Sequence, residues 1–340
     1  MDAIKQRIAP LLSFIQRHPR ALALFSFASG VASFFLVNRQ NRSAGFLAAV
    51  LLISWLWLIL ENLLTRKIIR SFGLEIPPAL LRYFTQTIHQ ESLFFVLPFF
   101  FITTTWESGQ LLFTGLLAVG ALVSIVDPVY NNWLAPRRWL YMGFHTLALF
   151  AVMMTALPVI FHQTTDQTYR IAMAAAIVLA IPTLVKLVPL AQTRKWLGVL
   201  QWGGLIAVLA LALWFARYWV PPATVWLTNV HAATEPNADP MHPSRGIKSL
   251  SANDLLTKGL YVYTSIRAPR GLREHVYHVW MHDGQEIQRI PLDISGGSAE
   301  GYRTWSHKTR FPTPVEGKWQ VQVVTDGGQM IGVVRFEVTP

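Results

Sequence analysis

Three histidines crowd into one short stretch, EHVYHVWMHDG, from Glu274 to Gly284. On a helix, His275, His278 and His282 would fall at i, i+3 and i+7 on one face, which is metal-ligand spacing. On a strand the set splits, because side chains alternate across a sheet with a period of two. The neighbours decide. Val276, Tyr277, Val279 and Trp280 favour β structure, and Asp283-Gly284 is a hairpin turn leading into EIQRIPL. The strand puts His278, Trp280 and His282 on one face, and His275, Tyr277, Val279 and Met281 on the other. A metal would then need a third ligand such as His307 from another strand. Two same-face histidines flanking a tryptophan are more often hydrogen-bonded residues of a sheet, so no metal and no cofactor are expected.

The same alternation recurs through 224–230, 259–267, 286–294, 302–310, 318–325 and 331–338, punctuated by Gly296-Gly297 and Asp326-Gly327-Gly328. About seven short strands in so few residues imply an all-β, immunoglobulin-like sandwich over 259–340, preceded by a linker and first strand over 221–258. Residues 232–246 read as a loop, leaving His231 and His242 in loop-like sequence. Ser251 or Asn253 is placed to cap a short helical turn. Trp319, Val321 and Val323 alternate, as do Val334, Phe336 and Val338, and read as core.

In YRTWSHK (302–308), Arg303, Trp305 and His307 share one face, and Tyr302, Thr304, Ser306 and Lys308 the other. One face should be buried and one wet. The candidate binding residues are His278, Trp280, Arg303, Trp305, Ser306 and Lys308. A tryptophan stacks on a sugar face, while Arg or Lys pairs with carboxylate or phosphate. The competing reading makes both tryptophans core and pairs the charges with neighbouring carboxylates.

These residues follow a very different region. The 340-residue chain is 52% hydrophobic and 14% charged, and the apolar residues lie in long runs up to about Trp219. A bilayer core needs roughly 20 helical residues. That criterion predicts seven spans, near 21–37, 44–60, 88–106, 110–126, 139–161, 168–190 and 197–219, making 1–220 an integral membrane domain. With a cytoplasmic N-terminus, the inside segments carry 12 Lys+Arg and the outside loops 2, as the positive-inside rule requires. Seven spans put 220–340 outside the cytoplasm, in the periplasm of a two-membrane bacterium. The first span reads as a retained signal-anchor, and residues 4–15 as a helix lying in the inner-leaflet interface.

Six ionisable residues sit in or at the ends of these spans: Glu61, His89, Glu91, Asp127, His145 and Lys186. All lie towards the cytoplasmic leaflet, where such a set could bind an ion, a proton or a lipid headgroup. Prolines 98, 158, 182 and 189 would allow broken helices of the kind transporters use. The plainer reading is that charges at span ends reach the interface and pair with headgroups.

Several function classes lose support. The formal charge of +11 divides unevenly, with +10 in residues 1–220 and +1 in 221–340. The water-soluble part thus lacks the basic footprint of a nucleic-acid binder. The absence of cysteine excludes disulfides, thiol catalysis and Cys-ligated metals. No G-x-S-x-G, H-E-x-x-H or Walker A pattern occurs, and the acids of the β region mostly flank turns rather than forming a facing pair.

The motifs H-x-W (278–280), R-x-W-S-x-K (303–308), G-x-W-x-V-x-V (317–323) and F-x-V (336–338) together resemble an uncharacterised bacterial family. That family is a β-domain of unknown function, often placed behind multi-pass membrane segments. The resemblance covers roughly 255–340 and implies architecture rather than activity. It also implies that the membrane half belongs to an associated family without assigned function. The expected role is non-enzymatic: binding or organising an envelope component, either a glycan or a protein partner, beside the lipid bilayer. The alternatives are a transporter or lipid-handling protein using the inner-leaflet charges, and a periplasmic envelope-modifying enzyme.

Overall fold

The computed structural model describes Ala28, Ala32, Phe46 and residues 49–50, 52–56, 78–187, 196–234, 247–298 and 300–340, with the side chains of 78–84, 182–187 and 196–198 left aside. The long helices are α1 (Pro78–Thr103), α2 (Gln110–Ile125), α3 (Arg138–Phe161), α4 (Thr165–Leu187) and α5 (Trp196–Ala216). A π-helix, Pro128–Leu134, follows α2, and a 3-10 turn, Arg217–Trp219, follows α5. Pro78 opens α1, where its missing N–H costs no helical hydrogen bond.

The expectation of seven spans is corrected here. Among the described residues two helices are long and apolar enough to cross a membrane, Arg138–Phe161 and Val199–Trp219. A third counts if α2 and the π-helix, bent by 101°, form one broken span. The reasons are local. Helix α1 carries Gln86, His89, Gln90 and Glu91 in its middle, which leaves too short an apolar stretch beyond them. Helix α2 has 16 residues and stops short of Asp127-Pro128. The expected spans 21–37 and 44–60 fall mostly outside the described residues, as does the end of 168–190.

The chain forms two compact units. One comprises Met1–Phe99, Gly115–Ala156 and Ala172–Leu211; the other comprises Phe100–Thr114, Leu157–Ile171 and Ala212–Pro340. The second unit thus holds the β strands, the turns that follow α1 and α3, and the end of α5. Inside it, Gln110 Nε2 donates to the Met330 carbonyl at 2.8 Å and Gln329 Nε2 to the Val220 carbonyl at 2.7 Å. Arg335 pairs with Glu107.

The strands are β1 (Trp226–Ala233), β2 (Ser249–Ser251), β3 (Leu260–Arg267), β4 (Arg273–His282), β5 (Gln285–Ser295), β6 (Tyr302–Lys308), β7 (Gly317–Thr325) and β8 (Met330–Thr339). They make a three-stranded sheet in the order β1-β3-β6 and a five-stranded sheet in the order β2-β8-β7-β4-β5. Two buried clusters join them: in one, Ala232, Leu260 and Val262 from the first sheet meet Trp280, Trp319, Val321, Phe336 and Val338 from the second, and in the other Ile266 meets Val276, Ile294, Val323 and Ile331. The Asp-Gly hairpin forms as the sequence requires, with Asp283 at φ 46° and Gly284 at φ 84° joining β4 to β5. A short helix, α6 (Ala252–Lys258), begins at Ser251, whose side chain accepts from the Asp254 amide at 3.1 Å.

Strand β1 runs to Ala233, further than the alternation indicated. It pairs with β3 from Trp226↔Arg267 to Ala233↔Tyr261, with a register shift between Leu227 and Asn229. His231 therefore belongs to a strand, opposite Tyr263, and not to a loop. Most of the remaining predicted loop, 235–246, lies outside the described residues.

Candidate functional site

Strand β6 sorts the candidate residues by its pleat. Ser306 and Lys308 point inward and are 3% and 5% exposed, while Arg303 and Trp305 face outward, Trp305 at 56%. The motif thus serves two purposes. Its inner half builds the sandwich interior, and its outer half is offered to solvent.

The inner set is closed. His278 on β4 is fully buried. Its Nδ1 lies 2.7 Å from Ser306 Oγ and its Nε2 3.3 Å from Thr264 Oγ1, so both ring nitrogens are spoken for. Burial pushes this imidazole down to about 3, and it bridges the two sheets as a neutral ring. Trp280, also fully buried, belongs to the shared core and meets Phe311 edge-on at 6.2 Å. Lys308 Nζ donates to Gln288 Oε1 at 2.5 Å and lies 5.4 Å from the Phe311 ring, with burial lowering its pKa. His278 and Trp280 therefore share no groove with Arg303. His282 stacks on Trp319 at 4.3 Å, while His275 pairs with Asp293 at the surface. Among the described residues no three His, Asp or Glu side chains come together as a metal site.

The outer set forms a platform. Register places Asn229, Ser265 and Arg303 in one row across the three-stranded sheet, His231, Tyr263 and Trp305 in the next, and Ala233, Tyr261 and His307 in the third. Five of these nine side chains are rings. His231 stacks on Tyr263 at 5.3 Å, Tyr261 lies flat on His307 at 3.8 Å, and Trp305 sits tilted 5.7 Å from Tyr261. A shallow open pocket of about 100 Å³ sits among the first two rows.

Backbone geometry holds this face in register. Gly301 has φ 96°, and a Cβ there would lie 2.5 Å from Ser265 Oγ. Only glycine lets the chain turn here, so that the Glu300 carbonyl accepts from Ser265 and Thr228 before β6 begins. The charge on the face is modest, because Arg303 pairs with Glu300 at 2.8 Å. Two histidines on this face hold unpaired nitrogens among the described residues, Nε2 of His307 and both nitrogens of His231. His231 is 3% exposed, and burial lowers its pKa. Sequence reading missed Asn229, His231, Tyr261 and Tyr263. The signal available was that Tyr261 and Tyr263 alternate with the core residues Leu260 and Val262 and so must face outward together.

A second polar cluster lies in the first unit. Gln86, His89 and Gln90 line one face of α1 at i, i+3 and i+4. His89 Nε2 lies 3.0 Å from His145 Nδ1 on α3, and His89 Nδ1 lies 2.7 Å from Tyr130 Oη on the π-helix. Trp55 packs on His145 at 4.7 Å and donates its indole N–H to Ser92 at 2.8 Å. Gln86 donates to Asp127 at 2.7 Å and accepts from Asn131 at 3.3 Å. Of the six ionisable candidates, the fold thus joins His89 to His145 directly and ties Asp127 into the same polar strip. Glu91 is half-buried on α1. Glu61 and the side chain of Lys186 lie outside the described residues.

A third feature is Glu274, 2% exposed at the start of β4. Its Oε2 accepts from both the amide and the hydroxyl of Thr165, each at 2.8 Å, at the first turn of α4. Burial raises this carboxyl to about 7 against the opposing pull of the Thr165 bonds.

Residues 273–338 match a protein family of unknown function, DUF2914. No curated protein matches the chain. The pairing of two families without assigned activity, which the motifs implied, is therefore found. Residues 1–262, well over half of the chain, match the family of unknown function DUF5924, and the chain belongs to that family.

Proposed function

We propose that this is a multi-pass protein of a bacterial inner membrane whose carboxy-terminal β region, on the periplasmic side, binds an envelope glycan without chemically altering it. The observation that carries this reading is Trp305: a large indole, 56% exposed, at the edge of a row whose other two rings, Tyr263 and His231, are buried. An exposed indole on a sheet presents a broad apolar face to a flat ligand at low entropic cost, and the axial C–H faces of sugars fit it. Arg303 and Asn229 edge the platform with polar groups that would orient hydroxyls.

One observation supports the sidedness. The turns after α1 and α3 and the end of α5 share one compact unit with the strands. These turns are the loops expected outside the cytoplasm. The test is binding of the full chain, in lipid nanodiscs, to soluble fragments of cell-wall glycan. Trp305→Ala should weaken binding at least about tenfold, given stacking contributions of this kind, with thermal stability unchanged. Undiminished binding in that variant would overturn the reading.

A second reading has its own observation. The buried His145–His89–Tyr130 chain could pass a proton between helices, as a transporter would use it. It predicts proton or substrate flux in liposomes that His145→Ala abolishes, with binding at the platform untouched.

A further inference from the structure

We infer that the carboxy-terminal end of the Val199–Trp219 segment holds the phosphate of an anionic phospholipid, in the leaflet on the side of the β region. This rests on the membrane placement proposed above and not on the glycan reading.

Depth is the first argument. The segment has 21 residues, and none of its apolar window is buried inside the protein. Such a helix rises about 30 Å, the thickness of a bilayer core. Its final turn therefore falls at the headgroup boundary. Phe215, Tyr218 and Trp219 are exposed there, as rings that settle at this interface are.

Charge is the second. Arg217 stands in that final turn, its guanidinium carbon 4.1 Å from the Trp214 ring centroid and 4.9 Å from that of Tyr218. Its Nη2 donates to Tyr218 Oη at 2.9 Å, and its Nε is sealed without a partner among the described residues. Its Nη1 is neither sealed nor bonded to another described residue. The acids of the helix-end turns are taken elsewhere. Asp166 pairs with Arg170 at 2.8 Å, and Glu107 with Arg335. Arg170 approaches the same indole, 6.0 Å from its centroid, so the carboxylate nearest in sequence is spent on that cation. Arg217 keeps its charge without an ion-pair partner among the described residues.

A phosphate diester answers what remains. Guanidinium N–H groups donate to its oxygens in a planar fork, and the flanking indole and phenol hold the cation in one orientation. A zwitterionic headgroup carries its own ammonium beside its phosphate and gains less from a lone positive group. A neutral sugar has no charge to offer. Phosphate free in solution cannot use the exposed rings around Arg217, whereas the upper acyl chain of a lipid lies against them.

The experiment titrates the full chain, in neutral detergent, with phosphatidylglycerol and with phosphatidylcholine, and reads retained lipid by native mass spectrometry. Basic residues elsewhere in 1–220 also attract anionic lipid, so the quantity read is the difference that one residue makes. Arg217→Gln should weaken the retention of one phosphatidylglycerol about fivefold, the worth of a basic residue at an anionic surface, and leave phosphatidylcholine unchanged. Phosphatidylglycerol with a photo-activatable headgroup, added to the unmodified protein, gives a reading independent of any variant's folding. Its adducts should map to residues 214–219, and excess inorganic phosphate should not reduce them. Equal retention by the unmodified protein and a folded Arg217→Gln, or no adducts in that segment, would overturn the site and leave the membrane placement intact. Loss of the adducts to inorganic phosphate would overturn lipid as the occupant. A chain that stays dispersed without detergent or lipid would overturn the placement and the site together.

Discussion

The helical polar cluster and the outer face of the three-stranded sheet use the same residue types to opposite ends. Around His89 and His145, each polar side chain answers another: imidazole to imidazole, phenol to imidazole, glutamine to aspartate and asparagine. His278 in the sandwich interior is equally saturated, between Ser306 and Thr264. On the platform, by contrast, His231 is as buried as these but has no partner among the described residues. Nothing in the residue type separates the four histidines. Satisfaction does, because a buried polar group without a partner costs about 1–3 kcal/mol.

The sharpest way to break the comparison is at the saturated interior. Trp280→Ala should cost about 3–5 kcal/mol, the usual range for deleting a buried indole. Faster hydrogen exchange across β4 and β7 would register it. A smaller loss would mean that the two sheets are less dependent on their shared core than their packing indicates.

Glu274 comes next. In the folded state it retains a proton that the unfolded chain releases, because its carboxyl is raised from 4.5 to about 7. Its contribution is fully present below about pH 4.5 and is lost as pH rises through about 7. Glu274→Gln should therefore flatten the pH dependence of thermal unfolding between those values. It should also stabilise the protein at pH 8 by up to about 3 kcal/mol. An unchanged pH profile would remove Glu274 as its source.

The helical cluster should show the asymmetry of paired groups. His145→Leu alone strands His89 and should cost about 1–3 kcal/mol, while His89→Leu combined with His145→Leu should recover part of that loss. Additive losses in detergent-solubilised protein would argue that the two rings act separately. The smallest effect belongs to the platform: Trp305→Ala should change stability by no more than about 0.5 kcal/mol. A large loss there would show that Trp305 belongs to the fold rather than to a ligand surface.

Much of the β region was legible before any coordinates. Alternation separates Arg303, Trp305 and His307 from Ser306 and Lys308, and Asp283-Gly284 marks its hairpin. The same alternation does not say which face is inside, since both faces of β6 carry polar and aromatic groups. Burial of Ser306 and Lys308 follows from β6 lying beside β3, opposite the five-stranded sheet. The platform was less legible still. His231 was misread because Ala232 and Ala233 have weak strand propensity, and the strand is held there by pairing with Tyr261 and Val262.

The helices show the limit from the other side. Helix α3 and the Val199–Trp219 segment share a mean hydropathy of 2.0, yet 61% of the first window is buried inside the protein and none of the second. Hydropathy records that a segment avoids water without recording what replaces it, lipid or protein, and among the described residues the overcount of spans comes from α1, with its polar middle, and α2, with only 16 residues. By itself the sequence determined period, turn positions and the split between an apolar basic region and a near-neutral β region, because these depend on neighbours along the chain. Only the tertiary structure decided that His89 meets His145 and that His231, Tyr263 and Trp305 form one row, because such contacts depend on which strands and helices become neighbours in space.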